Sequence, residues 1–130
     1  MIAKVEPMAE ILVVDDMPGV RKAVCAVLKK AGHNVTEADN GATAMQLAAE
    51  RKHDLIITDI VMPGIDGTEI IMALKSRPGS PPIIAMSGGG AHLTGDDALA
   101  LAKQTADRAL AKPFSGKELT TAVNELLAVK

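Results

Sequence analysis

Short aliphatic runs closed by turn residues alternate along this chain with segments whose apolar positions recur at helical spacing, and few architectures accommodate that alternation. The runs occupy residues 11–14, 35–38, 55–58, 82–86 and 109–111. Strands separated by helix-length segments pair in parallel, because a crossover of that length is what joins parallel neighbours. The expected fold is therefore α/β: a (βα)5, doubly wound, five-stranded parallel sheet. Between the runs, Val20, Val24, Val27 and Leu28 form one helical stripe with Ala23 inside it, and Arg21, Lys22, Lys29 and Lys30 take the wet positions. Gly32 stops that helix. Leu119, Ala122, Val123, Leu126 and Leu127 repeat the stripe near the end of the chain, where Ser115 with Glu118 predicts a capping box. Weaker stripes run through Ala44, Met45 and Ala48 and through Ile70, Ile71 and Leu74, the latter stopped by Pro78-Gly79. Residues 97–104 are rich in Ala and Leu and read as helix, whereas SGGGAHLTGDD at 87–97 reads as a mobile glycine-rich loop.

A length of 130 residues suits one domain. Residues 1–8 read as an N-terminal extension and 9–130 as the domain. With 23% charged residues and a formal net charge of -2, the chain lacks the basic footprint of a direct nucleic-acid binder. No stretch approaches the ~20 apolar residues of a membrane span or has signal-peptide architecture, and the single Cys25 cannot form an intrachain disulfide, so a cytoplasmic location is expected. Trp and Tyr are absent and Phe114 is the only Phe, which leaves aliphatic residues and methionines to fill the core.

The first strand ends in ILVVDD, with Asp15 and Asp16 side by side. At about 4 Å and an effective dielectric near 20, two unit charges repel by roughly 4 kcal/mol, so a compensating cation is expected beside them. Ligands of open parallel sheets bind outside the carboxyl ends of the strands. Asp15, Asp16, Asp59, Ser87 and Lys112 all follow predicted strands, so one edge of the sheet receives three acids, a hydroxyl and an amine. Carboxylate oxygens suit a hard divalent cation, Mg²⁺ before Zn²⁺, and Lys112 adds further positive charge. Taken singly, each residue has a plainer role: an aspartate caps a helix, Asp59 opens a turn, Ser87 is loop material and Lys112 is a solvated lysine. Their joint occurrence at matching strand ends argues for a common site.

VVDD at 13–16, LIITDIVMPGIDG at 55–67, IIAMSGGG at 83–90 and AKPF at 111–114, in this order and spacing, resemble the receiver domains of two-component response regulators over about residues 9–129. The resemblance implies the flavodoxin-like receiver fold, with Asp59 as phosphoacceptor and with Asp15, Asp16, Asp59 and the backbone carbonyl of Val61 around Mg²⁺. It further implies phosphate contacts by Ser87 and Lys112, a cis Lys112–Pro113 bond, and a phosphoryl donor that is a histidine kinase or histidine phosphotransfer protein. The output would be binding of a downstream protein or onward relay, without direct nucleic-acid or membrane contact. The chain would then be a signalling phosphoacceptor that assists its own phosphorylation and dephosphorylation, rather than an enzyme. The last predicted helix runs close to Lys130, which fits a stand-alone receiver or a piece of a longer protein.

Two departures from the family pattern bear on switching. Ala109 stands where receivers usually carry Tyr or Phe, and Val61 and Gly89, at positions that tune acyl-phosphate lifetime, offer no polar side chain to orient water. A competing reading is a magnesium-dependent phosphohydrolase with an aspartyl-phosphate intermediate. Haloacid-dehalogenase-like enzymes place a general acid two residues after the nucleophile, and Met17 stands two after Asp15. A receiver-like interaction module that is never phosphorylated is the third reading, and the intact set of acids, hydroxyl and lysine argues against it. His33, His53 and His92 lie far apart without metal-ligand spacing, and Cys25 reads as a packed thiol.

Overall fold

The computed structural model describes residues 9–60, 67–87 and 106–128. Five strands, β1 (Glu10–Val14), β2 (Asn34–Ala38), β3 (Leu55–Asp59), β4 (Ile83–Ser87) and β5 (Arg108–Ala111), form one parallel sheet in the order β2-β1-β3-β4-β5. The described helices are α1 (Pro18–Lys30), α2 (Gly41–Glu50), α3 (Gly67–Lys75) and α4 (Gly116–Ala128). None of them is long and apolar enough to cross a membrane. The predicted helix at 97–104, most of the predicted loop at 87–97 and the extension over residues 1–8 lie outside the described residues.

All five predicted strands are present, but two boundaries differ in a way that matters. β3 and β4 run on to include Asp59 and Ser87, which therefore close their strands instead of following them. Ladder bonding belongs to the backbone and does not stop where aliphatic side chains stop: Ile60 N–H donates to Met86 O at 3.0 Å, and Lys112 N–H donates to Ser87 O at 2.7 Å. Pro82, expected inside β4, falls outside the strand, since proline has no N–H to give the ladder. Its carbonyl still accepts the Ile56 N–H at 3.1 Å.

Side-chain alternation sorts each strand between two cores. Ile11, Val13, Leu55, Ile57, Ile84, Met86 and Leu110 meet α1 and α4 through Val24, Cys25, Leu28, Leu119, Ala122 and Val123. Leu12, Val14, Ile56, Ile83 and Ala85 point the other way, to Ala44 of α2 and Ile70, Ile71 and Leu74 of α3. Burial of an aliphatic side chain of this size stabilises by roughly 1.5–3 kcal/mol, so aliphatic residues carry both layers, with Phe114 packed, partly buried, against the first. The expectation for methionines holds at Met86 and Met45 and fails at Met17 and Met72, which are exposed.

The helix ends are set locally. Pro18 opens α1. Gly32 closes it at φ +98, where the Gly32 N–H donates to Lys29 O at 3.0 Å and the His33 N–H to Leu28 O at 3.1 Å. Asn40 accepts the Thr43 N–H at the start of α2. At α4 the Ser115 N–H donates to Glu118 Oε1 at 2.9 Å and the Glu118 N–H donates to Ser115 Oγ at 3.0 Å, the predicted capping box.

Candidate functional site

From β1 the sheet continues to β2 on one side and to β3 on the other, so the carboxyl ends of β1 and β3 flank the switch point at which open parallel sheets form a crevice. Asp15 and Asp16 leave β1 there, Asp59 closes β3, Ser87 closes the adjacent β4, and Lys112 follows β5. Asp15 is fully buried, Asp59 is 5% exposed and Ser87 2% exposed. Asp16 is partly exposed.

Lys112 Nζ lies 2.8 Å from Asp59 Oδ2 and 3.2 Å from Asp15 Oδ2. It supplies compensating positive charge to Asp15 and Asp59, the two acids it contacts. Burial by itself pushes the Lys112 ammonium toward losing its proton, but the hydrogen bonds and charges of Asp59 and Asp15 outweigh burial and hold its pKa above the usual 10.5. The amine therefore stays charged at neutral pH. Asp15 Oδ1 accepts the Met17 N–H at 2.9 Å, and the Asp15 carbonyl accepts Arg21 Nη1–H at 2.8 Å. Neither aspartate is the N-cap of α1, a position held by Met17.

Asp15, Asp16 and Asp59 each bring a carboxylate oxygen within 4.8 Å of the other two. Three hard oxygen donors at that spacing fit a divalent cation such as Mg²⁺. Asp16 has no hydrogen bond or ion pair among the described residues, which leaves both its oxygens available. Ser87 Oγ is buried and has no hydrogen-bond partner among the described residues. Ser87 ends β4, the strand paired with the one that Asp59 closes, and its orphaned hydroxyl is left with a proton to donate. The Lys112–Pro113 peptide is cis. Val61 and Gly89 lie outside the described residues.

The other candidates stand apart from this cluster. His33 Nδ1 accepts the Ala9 N–H at 3.3 Å, a fastening of the chain before β1. His53 precedes β3, at the opposite edge of the sheet, and lines a cavity of about 390 Å³ together with Arg51, Leu74 and Arg77. Burial, followed by the charge of Arg51, lowers its pKa from 6.5. His92 lies outside the described residues. Cys25 is 2% exposed, and burial, reinforced by the charge of Glu37, pushes its thiol up to about 11. Ala109 pairs with Ala85 and packs, partly buried, toward α2 and α3. Met17, two residues after Asp15, is 55% exposed and provides no acid.

Arg21 is a correction to the sequence reading. Expected among the wet positions of α1, its side chain is only 13% exposed and gives Nε–H to Glu37 Oε1 on β2 at 2.9 Å. Helical periodicity could not reveal this, because the covering partner comes from a neighbouring strand.

A family model described as response regulator receiver domain matches residues 11–124. The protein PilH of Pseudomonas aeruginosa is 33% identical over 123 residues, covering 93% of this chain and 99% of PilH. The DNA-binding transcriptional regulator NtrC of Bradyrhizobium sp. (strain RP501 Parasponia) is 34% identical over 122 residues, which are 94% of this chain and 25% of that protein. The chain spans between 24% and 49% of the length of the transcriptional regulators first among its matches. The chemotaxis response regulator CheY4 of Vibrio cholerae superposes with a TM-score of 0.79 at 28% identity, covering 92% of this chain and 99% of CheY4.

Proposed function

Since this chain belongs to the response regulator receiver domain family, we propose that Asp59 accepts a phosphoryl group from the phosphohistidine of a histidine kinase or histidine phosphotransfer protein. The observation that carries this reading is the placement of Asp59: it closes β3 at the switch point, pairs with Lys112 at 2.8 Å, and lies within ligand-sharing distance of Asp15 and Asp16. In the transfer an Asp59 carboxylate oxygen attacks phosphorus, the P–N bond to the imidazole breaks, and an acyl phosphate forms as the imidazole leaves. Phosphoryl transfer asks mainly for in-line positioning and for neutralisation of charge on the transferring oxygens. Lys112 supplies a fixed positive charge on one side of Asp59. Asp15, Asp16, Asp59 and the Val61 carbonyl would hold Mg²⁺, which when bound supplies further neutralisation of the phosphoryl oxygens.

Phosphorylation replaces one negative charge by a group carrying about -1.5 to -2. Ser87 Oγ, buried without a partner among the described residues, then has an oxygen to donate to, and closing that hydrogen bond draws on the segment that follows β4. Ala109 provides no ring to turn inward with it, so the change is passed to a protein partner, or the phosphoryl group is relayed onward. Val61 and Gly89 carry no polar side chain with which to orient water, which favours a persistent acyl phosphate; its eventual hydrolysis returns the domain to rest. The chain so read is a stoichiometric signalling component.

Intact mass after incubation with Mg²⁺ and acetyl phosphate tests the assignment. Wild type gains one phosphoryl increment and Asp59→Asn gains none; stoichiometric labelling of Asp59→Asn at another residue would overturn it.

A further inference from the structure

Asp15 is held at every polar atom. Its N–H donates to the Ala38 carbonyl of β2 at 3.1 Å, Oδ1 accepts the Met17 N–H at 2.9 Å, Oδ2 accepts from Lys112 Nζ at 3.2 Å, and its carbonyl accepts from Arg21 Nη1 at 2.8 Å. Asp16, by contrast, has no partner of its own among the described residues. Its direction is set by the backbone, and the Asp15 carbonyl belongs to the rigid peptide plane that joins the two aspartates. A donor that fixes this carbonyl therefore fixes the plane from which Asp16 projects.

That donor is Arg21, and it is anchored in turn. Its Nε–H donates to Glu37 Oε1 at 2.9 Å, one residue before the Ala38 carbonyl that receives the Asp15 N–H. The planar guanidinium thus spans two acceptors with donors in a fixed fork, a geometry that a lysine ammonium cannot reproduce.

We propose that Arg21 is a positioning residue for the divalent-cation site, with Glu37 as its anchor: the pair sets the turn after β1 so that Asp15 and Asp16 present their carboxylates together before an ion arrives. The inference rests on the reading of the acid cluster as a Mg²⁺ site. Groups that orient metal ligands without touching the metal are typically worth 10- to 100-fold in affinity.

The test is a Mg²⁺ titration followed by amide ¹⁵N shifts in wild type, Arg21→Lys and Glu37→Gln, with urea melts of each protein in the absence of metal. The Kd is expected to rise about tenfold or more in Arg21→Lys while the spectrum stays dispersed. Glu37→Gln, which keeps Arg21 but loses the anchoring charge, should move the Kd in the same direction, and it carries the test if Arg21→Lys does not fold. Folded variants that bind Mg²⁺ like wild type, even with lowered urea midpoints, would reduce Arg21 to a structural brace and overturn the proposal. Absence of saturable Mg²⁺ shifts in wild type would instead overturn the site itself, and the proposal with it, so the two failures are told apart by the wild-type arm.

Discussion

Lys112 and Asp59, 53 residues apart in sequence, meet at 2.8 Å where the sheet ends, and Asp15 shares the same ammonium at 3.2 Å. One cation thereby neutralises two nearly buried carboxylates. Removing one partner from a buried ion pair costs more than the pair itself contributes, because the remaining charge is left uncompensated.

Lys112→Met is expected to lower metal-free stability by about 3 kcal/mol, since Asp15 and Asp59 would then face each other without a cation. Millimolar Mg²⁺ should restore part of the loss. The sign of the pH effect follows from the raised pKa of Lys112: its contribution is complete below 10.5 and disappears as pH climbs through the higher folded-state value. Wild type should therefore show an alkaline loss of stability that Lys112→Met lacks. Urea melts with chelator and with Mg²⁺, from neutral pH to above 10, check both statements; equal stability of the two proteins without metal would contradict the first.

Mg²⁺ should stabilise wild type, because it relieves repulsion among Asp15, Asp16 and Asp59. A ligand that binds only the folded state adds about 2.7 kcal/mol at a hundredfold excess over Kd. Asp16→Asn should lose most of that increment while its metal-free stability stays level or rises slightly, as one like charge is gone and no described contact breaks. Thermal melts unmoved by millimolar Mg²⁺ in wild type would count against the metal assignment.

The neutral form of His53 is favoured by folding, as burial and then Arg51 lower its pKa from 6.5, against smaller opposing effects of Glu10, Asp54 and a backbone hydrogen bond to Arg51. The unfolded chain therefore binds a proton more readily than the folded one between the two pKa values, and stability must fall as pH drops below 6.5 through that window. His53→Gln should flatten the acid limb over the same window. Urea midpoints measured at intervals below pH 7 provide the check, and an identical acid limb in the variant would refute the assignment to His53.

Cys25 should be inert in the folded protein. With its thiol buried and pushed up to about 11, very little thiolate exists at pH 8, and what forms is shielded by the packing of α1. Iodoacetamide at pH 8 should label native protein far more slowly than protein in concentrated urea, as read by intact mass. Equal rates would mean that α1 opens readily.

Much of this protein is decided within short stretches of chain. The aliphatic runs ILVV, LIIT and IIAM place strands, and the period-two direction of side chains along a strand, a local property, sorts them between two layers. Gly32 and the Ser115–Glu118 pair end and begin helices through contacts made within a single turn. Even the gathering of Asp15, Asp16, Asp59, Ser87 and Lys112 is readable, since a parallel sheet brings the carboxyl ends of all its strands to one edge. What the chain by itself leaves open is how these groups pair once they arrive. That Lys112 bridges Asp59 and Asp15, that Ser87 Oγ is left without a partner among the described residues, and that β3 and β4 extend through Asp59 and Ser87 depend on partners supplied by other strands. Arg21 makes the difference plainest: helical spacing assigns it to water, and only the approach of β2, which brings Glu37 alongside, turns it inward onto the Asp15 carbonyl. Periodicity records which face a residue takes on its own element, whereas hydrogen-bond partners are set by distances between elements, and those exist only once the layers have packed.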